Sequence, residues 1–315
     1  MKSAVRLRKS YKANHPTIAW HPGGNDLIAI SRASTVNIQD IENNSLVTTL
    51  YSDHWWIESI SWAPNTKYLA SAGREGAINI WDIEKEELVI ALTDHDHDHD
   101  CKINVLKYSP NGEYLASGDS KGVTKIWDTM NYDCICTLGD RDDEIVSIAW
   151  SPDGNYFVTN SGLSGSITIY DSHTRKPHIT LASDVWVTNV AWSSDSRFLA
   201  VSRRYRNNIG LNNIGLIDIE QKKYLGNVGD HYNSIESLAW SPDDHYLVSG
   251  SSDCTIKIWN IEDNTCMAKV KRHGGCVQSV AWSPSGRDLA VAAVSAVKIW
   301  DVSGLFPISA KAVEF

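Results

Sequence analysis

A chain of 315 residues with a formal net charge of −9 and a pI near 5.6 argues against a broad surface for nucleic acid or anionic lipid. No run approaches 18 consecutive apolar residues, so no spanning helix is expected, and the start, MKSAVRLRKSYK, lacks the apolar core of a signal peptide. Six scattered cysteines, with Cys134 and Cys136 on one strand face and no second ligand pair, read as reduced thiols of a cytosolic protein.

From the start of the chain, Ser3 to Trp20 align without a gap on Ser45 to Trp62, 42 residues later. A unit of three alternating strands then recurs. Its clearest copy is Ser234 to Asn260: a strand ending at Trp240, a turn Ser241-Pro242-Asp243-Asp244, a strand Tyr246-Leu247-Val248, a turn Ser251-Ser252-Asp253 and a strand Ile256 to Trp259. Three short antiparallel strands cannot bury an apolar face alone, so the unit needs neighbours. The first strands end at Trp20, Trp62, Tyr108, Trp150, Trp192, Trp240 and Trp282, in steps of 42, 46, 42, 42, 48 and 42 residues. Polar turns follow each aromatic: HPGG, APNT, SPNG, SPDG, SSDS, SPDD and SPSG. The third strands close at Asp40, Asp82, Asp128, Asp171, Asp218, Asn260 and Asp301, so seven units repeat.

On these residues the chain resembles the WD-repeat family of β-propellers. Trp81-Asp82, Trp127-Asp128 and Trp300-Asp301 match the family's closing pair; Trp259-Asn260 and Tyr170-Asp171 nearly do, whereas Gln39-Asp40 and Ile217-Asp218 depart from it. The resemblance implies an all-β fold, a seven-bladed β-propeller of four-stranded antiparallel blades around a channel. Residues 1–315 then form one domain, with the propeller over about 3–303 and a tail over 304–315. The alignment makes Ser3 to Arg8 an outer strand like Ser45 to Leu50, which closes the ring on the last blade and removes exposed edges. The C-terminal GLFPIS competes for that position.

Two elements interrupt the pattern. The tract DHDHDHD, Asp94 to Asp100, places His95 and His97 on one face of an extended segment, as a two-histidine metal site would. It reads better as a solvated charged insertion, and no metal or other cofactor is expected. Blade five carries RRYRNNIGLNNIGL, an elongated hairpin with Arg203, Arg204, Tyr205 and Arg206.

His231, Ser249, Asp253 and Trp259 contain the residue types of a Ser-His-Asp triad. The resemblance implies instead a structural tetrad, which suits a buried indole N–H in need of an acceptor. Blade two carries His54, Ser71 and Trp81, with Glu75 at the acid position; blade three carries His99, Ser117 and Trp127, with Lys121 there. No phosphate loop, nucleophile elbow or H-E-x-x-H helix is present, so no enzyme is expected.

The repeat accounts for ten of the thirteen tryptophans. Of the others, Trp56 and Trp186 both lie six residues before a landmark aromatic, where other blades carry Asn14, Lys102, Glu144, Ser234 and Cys276; the third is Trp55. In the family this connection opens on the top face, as do the second-to-third-strand hairpins. Trp55, Trp56, Lys102, Glu144, Trp186, Arg203, Arg204, Tyr205, Arg206 and Tyr232 are therefore the candidate partner-binding residues, since Trp, Tyr and Arg are the types enriched at hot spots. The expectation is a non-enzymatic scaffold for a protein or peptide, with no membrane, nucleic-acid or small-molecule partner, in the cytoplasm with the nucleus left open. The alternatives are a metal-dependent or enzymatic site at the His/Asp loop and channel mouth, and RNA or DNA binding through the basic hairpin.

Overall fold

The computed structural model describes residues 5–24, 26–53, 55–93, 101–139, 143–162, 164–181, 185–205, 212–271 and 273–305. Within them lie seven four-stranded sheets, each antiparallel. Blade one, for example, is Ile18–Trp20, Leu27–Arg32, Thr35–Asp40 and Ser45–Tyr51, hydrogen-bonded in that order. The first strands of successive blades lie side by side, and that of blade one also packs against that of blade seven, so the ring closes. Between blades sit the cores: Ile60, Trp62, Leu69 and Trp81 of blade two, for instance, join Val36, Ile38 and Leu50 of blade one. The only helix among the described residues is one 3-10 turn at Ser303–Leu305, and none is long and apolar enough to cross a membrane.

The turns explain the repeat's punctuation. In every blade the fourth residue after the landmark aromatic has positive φ: Gly24, Thr66, Gly112, Gly154, Ser196, Asp244 and Gly286. Four of the seven are glycine, the residue for which this conformation costs least. The closing acids serve the next turn. Asp40, Asp171 and Asp218 accept backbone N–H bonds from Asn43, Thr174 and Gln221 at 2.8, 2.7 and 2.8 Å. Those bonds hold all three carboxyls below the usual range.

Six of the landmark residues are tryptophan for a reason that lies between blades. Trp62, Trp150, Trp192, Trp240 and Trp282 each donate an indole N–H to a carbonyl oxygen on the previous blade's first strand: Ala19, Lys107, Ala149, Ala191 and Ala239, at 3.0–3.3 Å. Trp20 closes the circle by donating to Ala281, at 3.0 Å. Blade three, with Tyr108, uses another bond: the Tyr108 N–H donates to Ser61 Oγ at 3.1 Å.

The N-terminal strand does complete the last blade, but three residues later than the gapless alignment expects. It spans Arg6–Lys12 and pairs with Ala296–Asp301, Lys12 opposite Ala296. In blade one the matching position, opposite Thr35, belongs to Tyr51. The strand is therefore offset by 39 residues, not 42, and the link onward to Trp20 is correspondingly shorter than that from Tyr51 to Trp62. Register follows ladder geometry and the bulge that recurs beside the third strand of every blade, here between Leu7 and Lys9, rather than linker length. Of GLFPIS, only Gly304 and Leu305 are described; they lie in the 3-10 turn.

Candidate partner-binding face

Trp56 stands just before the first strand of blade two, and Arg74 follows that blade's second strand, Tyr68–Gly73. The Arg74 N–H donates to the Trp56 carbonyl at 3.3 Å. Their close approach requires Gly73, where an added Cβ would fall 1.7 Å from the Trp56 carbonyl oxygen. The Arg74 guanidinium lies 5.4 Å over the Trp56 ring and pairs with Glu58 at 3.4 Å. His15 has its ring 5.8 Å from Trp56 and accepts a bond from Gln278 of blade seven, 2.9 Å, at Nδ1. A cavity of about 370 Å³ opens among His15, Trp56, Glu58, Arg74 and Gln278. It draws on blades seven, one and two.

Blade five repeats the motif. Trp186 and Arg204 are directly opposite in its first strand pair, with the guanidinium 5.0 Å over the indole. Arg74 and Arg204 each come twelve residues after their landmark, as Trp56 and Trp186 come six before theirs. The two pairs are thus equivalent in the repeat and lie at the same end of the ring.

The ten candidate residues divide as follows. Trp56, Trp186, Lys102 and Glu144 are half-buried at equivalent positions of blades two, five, three and four. Trp55 is 84% exposed and Tyr232, on the same end of blade six, 78%. Arg203 and Arg204 end the strand Phe198–Arg204, which forms one arm of the elongated hairpin. Being successive strand residues, they point to opposite faces. Arg203 donates to the Tyr224 hydroxyl at 2.8 Å and borders a cavity of about 200 Å³ with Leu181 of blade four, so it leaves the Trp186 cluster. Tyr205 accepts from Asn213 at 3.1 Å. Arg206 lies outside the described residues, as do His54, His99 and the metal candidates His95 and His97. Among the described residues no cluster of three or more metal-ligating side chains occurs.

Arg74, His15 and Gln278 escaped the sequence reading. A signal for Arg74 existed: the repeat register that singles out the two tryptophans also places arginine at one shared position in the same two blades. His15 and Gln278 are brought in by ring closure, which no local pattern encodes.

The triad-like residues of blade six form a relay of hydrogen bonds. Trp259 Nε1 donates to Ser249 Oγ at 2.8 Å; Ser249 and His231 Nε2 are 2.7 Å apart; His231 Nδ1 and Asp253 are 2.9 Å apart. With the indole donating, the serine hydroxyl is left to donate to Nε2, which puts the imidazole proton on Nδ1 facing Asp253. Burial holds the His231 pKa down despite Asp253. Ser249 and His231 are fully buried, so no substrate reaches the hydroxyl. Blades two and three keep the core of this arrangement, with Trp81 donating to Ser71 and Trp127 to Ser117, both at 2.9 Å. Trp259→Phe leaves Ser249 without its donor, and a loss of 1–3 kcal/mol is expected from a bond of this kind, ~2 kcal/mol at mid-range. Denaturant unfolding measures it, and an unchanged midpoint would refute the structural role.

A model described as WD domain, G-beta repeat, matches residues 44–82, 222–260 and 264–301. Each match runs from one blade's outer strand to the residue that closes the third strand of the next blade, in step with the seven sheets. The chain is a seven-bladed β-propeller with WD repeats at three positions. A second model, eukaryotic translation initiation factor eIF2A, matches residues 95–162. Among curated relatives, the propeller is 25% identical over 119 residues to Meiotic fizzy-related protein 1 of Schizosaccharomyces pombe, covering 37% of this chain and 27% of that protein. It is 29% identical over 121 residues to Anaphase-promoting complex subunit cdc20 of Dictyostelium discoideum, covering 38% and 23%. Human Striatin is 40% identical over 53 residues, 17% of this chain and 7% of its own. The match thus spans less than a third of each of these relatives.

Proposed function

We propose that this propeller is a non-enzymatic scaffold that docks a protein or peptide on the face bearing the two Trp–Arg pairs. The observation that carries the reading is their recurrence at the same repeat positions in blades two and five. The fold does not need them there. The same backbone contact is made by Ser120 with Lys102, Gly162 with Glu144, Ser252 with Ser234 and Val294 with Cys276, at 2.9–3.2 Å. A preformed aromatic shelf held by a cation is a low-entropy anchor of the kind that dominates interfaces. Glu58 beside Arg74 gives the first site both signs of charge, which favours a partner of mixed or basic character over a polyanion. Similarity to a protein named as a complex subunit, the Dictyostelium cdc20, supports an assembly role.

The nucleic-acid reading has less behind it. Arg203 and Arg204 are each engaged by an aromatic ring, the chain carries a net charge of −9, and the initiation-factor match stops at residue 162, before the basic hairpin.

Affinity purification of the full chain, followed by quantitative binding of the recovered partner, tests the proposal. Trp56→Ala or Trp186→Ala is expected to weaken binding by about 2 kcal/mol, roughly thirtyfold, with the melting temperature little changed. Normal binding by both variants would place the site elsewhere. A steep fall of RNA or DNA binding with salt, with no protein partner, would favour the nucleic-acid reading instead.

A further inference from the structure

Cys254 and Cys276 belong to different blades and meet on the Trp–Arg end of the ring. Cys254 is in the hairpin between the second and third strands of blade six; Cys276 immediately precedes the first strand of blade seven. Both thiols donate to one acceptor, the Ser252 carbonyl oxygen, at 3.8 and 3.4 Å. The shared acceptor brings the two sulfurs close together across the seam. Both residues are half-buried, so each is reachable by a small solute.

Backbone geometry makes the choice of cysteine at 254 informative. The position lies fourteen residues after the landmark, where blades two and three carry Gly76 and Gly122 at φ 68° and 82°. Cys254 holds φ 65°, a conformation L side chains rarely adopt. A glycine would be the easier residue, yet a thiol stands here with a second thiol beside it. No other pair among the six cysteines has this arrangement across a seam: Cys134 and Cys136 share one strand, and Cys101 is directed to Asp119.

We propose that Cys254 and Cys276 form an oxidant-sensitive dithiol that closes to an intramolecular disulfide, joining blades six and seven. With a peroxide as oxidant, one thiolate attacks a peroxide oxygen, taking that oxygen as a sulfenic acid and releasing water once protonated. The second thiolate attacks the sulfenic sulfur, the S–S bond forms, and the hydroxyl leaves as water. Two thiols and one hydrogen peroxide thus give one disulfide and two waters. Burial, with Cys276 beside it, holds the Cys254 thiol above its ordinary pKa, so oxidation speeds up as the pH rises. The bond would pin the hairpin that carries Asp253, whose carboxylate also accepts the backbone N–H of exposed Tyr232 at 3.2 Å.

The test treats the full chain with graded hydrogen peroxide, alkylates the remaining thiols and maps them by mass spectrometry. The expected product is monomeric on non-reducing electrophoresis, about 2 Da lighter than the reduced chain, with a Cys254–Cys276 linked peptide that reductant splits. Exposed Cys266 serves as the internal reference for oxidant dose. In Cys276→Ser the linked peptide disappears and a sulfenic acid, trapped by dimedone, remains on Cys254. The proposal is overturned if both thiols are still alkylated at a dose that oxidises Cys266. It is overturned equally if Cys254 bridges to another cysteine or to a second molecule.

Discussion

Arg8→Ala is expected to destabilise the propeller by about 3–5 kcal/mol, the range for removing one partner of a buried ion pair. Asp288 opens the second strand of blade seven, where blades two to six have Tyr68, Tyr114, Tyr156, Phe198 and Tyr246. Its side chain is fully buried and lies opposite a second acid, Asp301, in the ladder. Arg8, only 16% exposed, reaches it from the bulge of the N-terminal strand, 280 residues away in sequence, and also meets Glu42 at 3.4 Å. Burial still leaves the Asp288 pKa raised, with Arg8 pulling the other way. Without Arg8 the carboxylate keeps only the weaker pull of Arg287 and takes up a proton more readily. The deficit of the variant should therefore shrink as the pH is lowered, and Asp288→Asn in the Arg8→Ala background should recover part of it. Denaturant titrations of the unmodified chain, Arg8→Ala and the double variant at two pH values measure this. A loss below 1 kcal/mol at neutral pH would mean that the pair does not hold the ring closed.

Acid should weaken the fold through histidines that are buried neutral. His273 is 1% exposed and its pKa is pushed down to about 4, by burial first and Lys298 second. Blade seven has lost the rest of its tetrad: Val291 stands opposite Lys298 where blade six has Ser249, and Trp300 Nε1 is buried without an acceptor among the described residues. An imidazolium at His273 would thus find no carboxylate partner among the described residues. The folded chain binds the proton less readily than the unfolded chain, whose histidine titrates near 6.5. The stabilising contribution is whole above that value and is lost as the pH falls from about 6.5 towards 4. A shift of this size corresponds to about 3 kcal/mol at the acid end. His231, depressed by burial despite Asp253, adds in the same direction. His273→Gln should flatten the pH dependence of the unfolding midpoint between pH 7 and 4.5. An equally steep profile in that variant would assign acid lability to other groups.

What the sequence determined by itself is the part written in short-range chemistry. Strand alternation, turn residues that accept positive φ, and the acid that accepts the next turn's N–H bonds act within a few residues, so they recur visibly every 42 to 48 residues. Seven repeats of that code imply seven sheets, and the odd tryptophans stood out against it because the code does not require them.

The tertiary structure decided whatever depends on one blade meeting another. The landmark tryptophans donate to carbonyls 43 or 49 residues earlier, and Trp20 to one 261 residues away, so their purpose shows only when the ring is closed. The N-terminal strand slid three residues from its gapless alignment because ladder register, not linker length, fixes an outer strand. The same closure joined Arg8 to Asp288 and carried His15 and Gln278 to Trp56. Strand alternation split Arg203 from Arg204, adjacent letters that face opposite sides of a sheet. A repeat specifies the blade; loop closure over the whole chain specifies which blade edges touch, and the side chains at those seams carry no periodic signal.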